Sequence, residues 1–170
     1  MSNKEMQIPE TVFQFKTEED YKMALRASPA GSWVKERSLG GKKTSKYISL
    51  FIQEAIADKI FQQWDVIDEK YQIVVNEIIC TVKIQYQPSY PGADIRFCTG
   101  SGAKPIQCDS SSVPSLFPKG KKTNALEYNT GASRSAAMSN AFTTLGNVFG
   151  RNLNRETSNN YSMDKKEDKK

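Results

Sequence analysis

The sequence predicts an α+β domain in which an antiparallel β-meander packs on a long helix. Three observations predict it. Ile48, Phe51, Ile52, Ala55, Ile56, Lys59 and Ile60 recur at helical spacing, with polar Gln53, Glu54 and Asp58 between them. A β-branched and aromatic stretch follows, from Tyr71 to Tyr86, and from Ile78 it alternates so that Ile78, Cys80, Val82, Ile84 and Tyr86 share one face. The stretch from Gly131 to Phe149 is then rich in Ala and small residues and reads as helix.

The remaining elements fall into place around these. Thr17 is placed to cap a short helix whose first turn holds Glu18, Glu19 and Asp20, and Ser28-Pro29-Ala30-Gly31 ends it. Trp33 to Leu39 reads as a short strand with Gly40-Gly41 as its turn. The helix from Ile48 is expected to run about four to five turns. Pro88, Pro91 and Gly92 make a turn, and Ile95 to Thr99 reads as a returning strand. Cys108 to Pro118 reads as a loop, and a helix is expected to begin in Lys121 to Tyr128. Residues 1–16 are expected to be a flexible segment, 17–151 the folded domain and 152–170 a disordered polar tail.

Composition narrows the function. The 170 residues carry 38% hydrophobic and 25% charged side chains, ordinary for a globular domain with a usable core. No apolar run approaches the roughly 20 residues that span a bilayer, so no membrane partner is expected. The polar start, Met1 to Pro9, does not read as a signal peptide, and the expectation is a cytoplasmic protein. Cys80, Cys98 and Cys108 form no CxxC pair and read as free thiols rather than a metal or redox site. The absence of histidine removes Ser-His-Asp and Cys-His catalysis and His-ligated metal. No catalytic residue, metal or cofactor is expected. Asp65, Asp68 and Glu69 form the one acid group that could hold magnesium, and they read as acids at a helix-to-strand turn.

The net charge of +5 permits a polyanionic partner, and its distribution says where. Lys35, Arg37, Lys42, Lys43 and Lys46 flank a glycine turn, where bare backbone can approach a phosphate chain and cations displace its counterions. The alternative is a solvated hairpin. Lys119, Lys121 and Lys122 form a second basic cluster at a helix start, a position that favours anions. Here the alternative is a capped helix with ordinary surface lysines. Tyr47, Tyr86, Tyr90 and Tyr128 are available to stack bases. Gly146 and Gly150, four apart, read as close packing or a helix end.

Four segments then occur in a telling order. They are Arg37-x-x-Gly40-Gly41 with Tyr47-Ile48, Trp64 ahead of the meander, Gly120-Lys121-Lys122-Thr123-Asn124-Ala125-Leu126, and Leu145-Gly146-Asn147-Val148-Phe149-Gly150. Over Trp33 to Arg155 this order resembles the Rad-fifty-two superfamily of single-strand annealing proteins, of the kind encoded by bacteriophages or mobile elements. The resemblance implies a β-β-β-α core assembled into a ring. It implies single-stranded DNA held by its backbone in a basic groove, and annealing of complementary strands in recombination or repair without ATP. Arg37 matches a groove arginine, and Lys121 or Lys122 matches the basic position before Ala-Leu. Ser139, Asn140 and Thr143 stand where the family has a Lys-Arg pair and a further Arg, so the expectation is either that Arg134, Arg151, Arg155 or the Lys42-Lys43 pair compensates or that DNA is bound more weakly. The expected DNA-binding set is Arg37, Lys42, Lys43, Lys46, Lys119, Lys121, Lys122, Arg134 and Arg151. A single-strand-binding protein or exonuclease of the phage or host is the expected further partner. The rival readings are a single-strand-binding protein that protects without annealing, a magnesium-dependent nuclease using Asp65, Asp68 and Glu69, and a structural phage protein that oligomerises without DNA.

Overall fold

Thr17 opens the first helix through a reciprocal cap: its Oγ1 accepts from Asp20 N at 3.2 Å, and the Asp20 carboxylate accepts from Thr17 N at 3.1 Å. That helix, α1, spans Glu18–Arg26. The computed structural model describes residues 12–41, 43–108 and 120–155. The expectations placed on residues 1–11, Lys42, Lys119 and the rest of 109–119, and 156–170 lie outside the described residues.

A 3-10 turn, Gly31–Trp33, leads into an antiparallel hairpin of β1, Val34–Ser38, and β2, Thr44–Ile48. Gly40 and Gly41 close it at φ of 93° and 61°, a left-handed backbone that glycine adopts without penalty. The helix expected from Ile48 starts later. Tyr47 pairs with Lys35 and Ile48 with Val34 as strand residues. Ser49 is the N-cap, its carbonyl accepting from Ile52 N and Gln53 N. This helix, α2, is Leu50–Ile60, three turns rather than four to five.

The chain then passes into the meander without an intervening turn. Strands β3, Phe61–Val74, β4, Glu77–Pro88, and β5, Arg96–Pro105, form one antiparallel sheet in the order β3-β4-β5. Asp65, Asp68 and Glu69, expected at a helix-to-strand turn, and Trp64, expected ahead of the meander, are therefore strand residues. The single β stretch expected from Tyr71 to Tyr86 is in fact a hairpin reversing at Val75-Asn76, and Val75 takes a φ of 58°. Strand β5 is longer than the expected Ile95 to Thr99, because its register against β4 holds to Pro105.

Helix α3, Ala125–Leu145, follows, so the strand-strand-strand-helix order is present. It is one helix, and Lys121 and Lys122 precede it. A second 3-10 turn, Asn147–Phe149, ends at Gly150. Gly146 packs: a Cβ there would fall within 3.0 Å of the Leu25 carbonyl of α1.

The core lies where α2 and α3 meet one face of the sheet. Ile52, Ile56 and Ile60 of α2, Cys80, Val82 and Ile84 of β4, and Ala137, Met138, Ala141 and Phe142 of α3 are buried together. Phe149 stacks on Phe142 and on Phe61, with ring centroids 5.4 and 6.2 Å apart. The end of the expected flexible segment is anchored here: Phe13 N donates to Lys59 O at 2.7 Å and Phe15 N to Ser89 O at 2.9 Å. All three cysteines are free. Among the described residues, no helix is long and apolar enough to cross a membrane.

Candidate nucleic-acid interface

The β1–β2 hairpin does not join the main sheet. It stands off from β5 and α3, leaving a cleft of about 420 Å³. Arg37, Lys46 and Tyr47 line it from the hairpin, Lys104 from β5, Gln53 from α2, and Ser139, Asn140 and Thr143 from α3. The first and last of the four motif segments, far apart in the chain, thus share one concavity.

The hairpin holds its side chains by strand geometry. Arg37 pairs with Ser45, so Tyr47 is its diagonal neighbour, and its guanidinium sits 5.7 Å from the Tyr47 ring centroid. Lys46 lies opposite Glu36 with Nζ 3.9 Å from Oε1, an exposed pair that contributes little. The Lys46 backbone is held more firmly. Its N donates to Asn154 Oδ1 at 2.8 Å and its carbonyl accepts from Asn154 Nδ2 at 2.7 Å, so one side chain mimics a neighbouring strand.

The α3 wall is polar and neutral. Asn140 Nδ2 donates to Ser101 O on β5 at 2.7 Å, and Thr143 Oγ1 donates to Ser139 O at 2.7 Å. Gln53, only 1% exposed, donates from Nε2 to Phe149 O at 2.9 Å and to Thr143 Oγ1 at 3.4 Å. A carbonyl partner fixes which end of the amide is which, and Oε1 is left without a partner among the described residues. The cleft therefore offers cations from the hairpin and β5, neutral hydrogen-bonding groups from α3, and one aromatic ring. Such a set suits a polyanionic chain held by its backbone.

The other expected site residues separate. Lys43 is at the hairpin tip, where its carbonyl accepts from Leu39 N at 2.9 Å. Lys121 and Lys122 do not line the cleft: Lys121 forms a bridge with Cys108, and Lys122 N donates to Gln107 O at 3.1 Å, beside a small second core of Ile78, Ile106 and Ala125. Of the residues expected to line one groove, Arg37, Lys42, Lys43, Lys121 and Lys122, Lys42 lies outside the described residues, Arg37 lines the cleft, and Lys43, Lys121 and Lys122 do not. Arg134 does not line the cleft either. Its Nε donates to Glu69 Oε2 at 2.8 Å, a pair that draws it to β3 rather than the cleft. The Tyr71 hydroxyl donates to the same carboxylate, and it and Arg134 hold Glu69 below the usual carboxylate range. Arg151 bonds the Thr144 carbonyl, closing the last turns of α3, and lies beside Lys22 and Leu25 of α1.

Sequence reasoning missed Lys104, Gln53 and Asn154. Lys104 fell beyond the expected end of its strand, Gln53 read as a polar spacer on a helix, and Asn154 fell in the expected tail. Of the aromatics, Tyr47 lines the cleft, Tyr86 is buried, Tyr90 packs on Tyr21, and Tyr128 is exposed away from the cleft lining. The three acids do not converge. Asp65 and Asp68 pair with Gln85 and Lys83 on the face away from α3, while Glu69 pairs with Val82 on the opposite face. No protein-family model matches the chain, and no curated protein matches it.

Proposed function

We propose that this chain binds single-stranded DNA along the cleft between the hairpin and α3 and, as a homo-oligomer, anneals complementary strands without ATP. One observation carries the reading. Arg37 and Tyr47 of the first resembling segment and Phe149 and Gly150 of the last line a single cleft together with Ser139, Asn140 and Thr143, so two of the segments that resemble annealing proteins converge there. The ring, and any contact with a single-strand-binding protein or exonuclease, rest on that resemblance alone. The chemistry needs no bond made or broken: cations neutralise the phosphate chain and leave bases free to pair.

The neutral wall sets the expected strength. With Ser139, Asn140 and Thr143 in place of cations, electrostatic binding within the cleft falls to Arg37 and Lys104, and Lys46, on the other face of the hairpin, adds charge beside it. Affinity for an oligo-dT should fall linearly with salt on a log-log plot, with a slope of about −0.7 per neutralised phosphate. Arg37→Ala and Lys104→Ala should each flatten that slope by about one such step. An affinity insensitive to salt overturns the reading. Mixing complementary strands without ATP separates annealing from protection: duplex forming faster than without protein supports annealing, and strands that bind yet do not pair leave a protective protein.

A further inference from the structure

An apolar hollow and an apolar projection lie at opposite ends of the β3–β4 hairpin. The hollow, of about 510 Å³, lies between α1, α2 and the segment that leads into α1. Phe15, Trp33, Ile52, Ile56 and Ile60 line it, and Lys59 is the one charged residue of its wall among the described residues. The projection is the turn that joins β3 to β4. Ile73, Val74 and Val75 are exposed there, Ile73 by 61%, and Glu77 is the one charged residue between Ile73 and Ile78. The tip is braced: Ile106 N donates to Asn76 O at 2.6 Å, and Ile78, the strand partner of Ile73, is buried with Ile106. Val75 holds a φ of 58° while half exposed, so a β-branched apolar residue is strained at the point that meets solvent.

One chain cannot bring the two together. Lys59 and Ile60 of the hollow adjoin Phe61, where β3 starts, and β3 runs 14 residues before the turn. At about 3.3 Å per residue, the tip and the hollow are roughly 45 Å apart. We propose that the β3–β4 tip of one copy seats in the hollow of the next. Both surfaces are apolar, and exposed apolar patches mark the places where proteins associate. Their charges are complementary, since Glu77 beside the tip comes to Lys59 at the hollow. Neither has an ion-pair partner among the described residues. Tip and hollow are different surfaces, so the contact runs head to tail: each copy gives one tip and offers one hollow. Such a contact repeats into a ring when its rotation closes, whereas a patch that meets itself stops at a pair. The inference rests on the self-association in the reading above and names the surfaces that make it.

Damaging one surface at a time tests the contact. Val74→Asp spoils the tip, and Ala55→Glu, on the α2 wall, fills and charges the hollow. Native mass spectrometry of the full chain, without DNA, would compare each variant with wild type, and circular dichroism matching wild type shows that each folds. Each alone should raise the apparent dissociation constant about tenfold or more, because a lone charge would be buried at the joint. Mixed, the two variants hold one intact tip and one intact hollow between them, so they should form a one-to-one pair and nothing larger. Charge exchange reads the orientation: Lys59→Glu and Glu77→Lys should each weaken assembly, and the chain carrying both should recover it. A wild type that stays monomeric at tens of micromolar removes self-association and this inference together. A wild type that assembles without binding oligo-dT removes the DNA reading and leaves this contact standing. Assembly of Val74→Asp or Ala55→Glu equal to wild type, a mixture that yields no pair, or a doubly exchanged chain as weak as the single ones overturns the contact alone and leaves the hollow to another occupant.

Discussion

The two sides of the sheet's helix-facing surface have similar strand residues and opposite fates. On β4 and β5, α3 seals the face: Cys80, Val82 and Ile84 are fully buried. On the outer half of β3, Tyr71 and Ile73 share that face yet remain exposed. Hydrophobicity does not separate them. Two glycines do. Gly100 and Gly102 lie opposite Val82 and Cys80, and a Cβ on either would fall within 3.0 Å of the α3 backbone at Ala137. The helix approaches where the sheet has no side chains, and Tyr71 and Ile73 of β3, which project from this face, stay outside its cover.

The strongest way to break this asymmetry is to fill the glycine seam. Gly100→Val should destabilise the fold by about 3 kcal/mol or more, because the obstacle is helix backbone and cannot rotate aside. Ile73→Ala, on the open side, should change stability by less than about 1 kcal/mol in the monomer. Urea denaturation of both variants reads the contrast. Equal losses would mean that α3 is not seated on Gly100 as the contacts require.

How much of this was legible in the sequence follows the same line between local and tertiary causes. Thr17 with Asp20, the Gly40-Gly41 turn and the alternation from Ile78 to Tyr86 are local signals, and each marks its element. The Val75-Asn76 reversal carries no Gly or Pro, so the stretch through it read as one strand. Tyr47 and Ile48 sit where helical spacing begins, but pairing with Lys35 and Val34 draws them into a strand. At the site, Arg37 and Lys46 were legible because charge and turn coincide within a few residues. Lys104 and Asn154 reach the cleft only through the fold, and Arg134 looked free because its partner, Glu69, lies on a strand far away in sequence.

That Arg134–Glu69 pair ties the two sides together and gives the next prediction. Glu69→Gln should cost about 1 kcal/mol at pH 7, since it replaces a charge-assisted pair at a partly exposed site. The folded Glu69 carboxyl has a lowered pKa, first through the Tyr71 hydroxyl and then through Arg134. Its stabilisation is therefore complete above the unfolded value of about 4.3 and is lost as pH falls through the lower folded value. Glu54 runs the other way, since burial raises its pKa. The test is thus the difference between wild type and variant, which should shrink in acid; a difference constant from pH 7 to 3 would assign the effect to packing. Asn154→Ala sharpens the comparison at the capped edge, because both backbone groups of Lys46 would turn to water. A loss of about 1 kcal/mol is expected, with amide exchange at Lys46 quickened; unchanged exchange would show the cap to be dispensable.

An effect of similar size but opposite sign is expected at the tip of the open side, and its sign is the test. Val75 holds a φ of 58° while its side chain stays exposed, a combination that a β-branched residue adopts only under strain. Glycine fits that φ freely but gives the unfolded chain more freedom. Strain of about 1–3 kcal/mol set against an entropic cost of about 0.5–1 kcal/mol leaves Val75→Gly stabilising, by about 1 kcal/mol in the monomer. Thermal melts at low protein concentration would show a rise of a few degrees. A fall would mean that the valine side chain contributes contacts which offset its strain within the single chain. A rise would leave Val75 a residue whose backbone strain outweighs what its side chain contributes to the isolated fold.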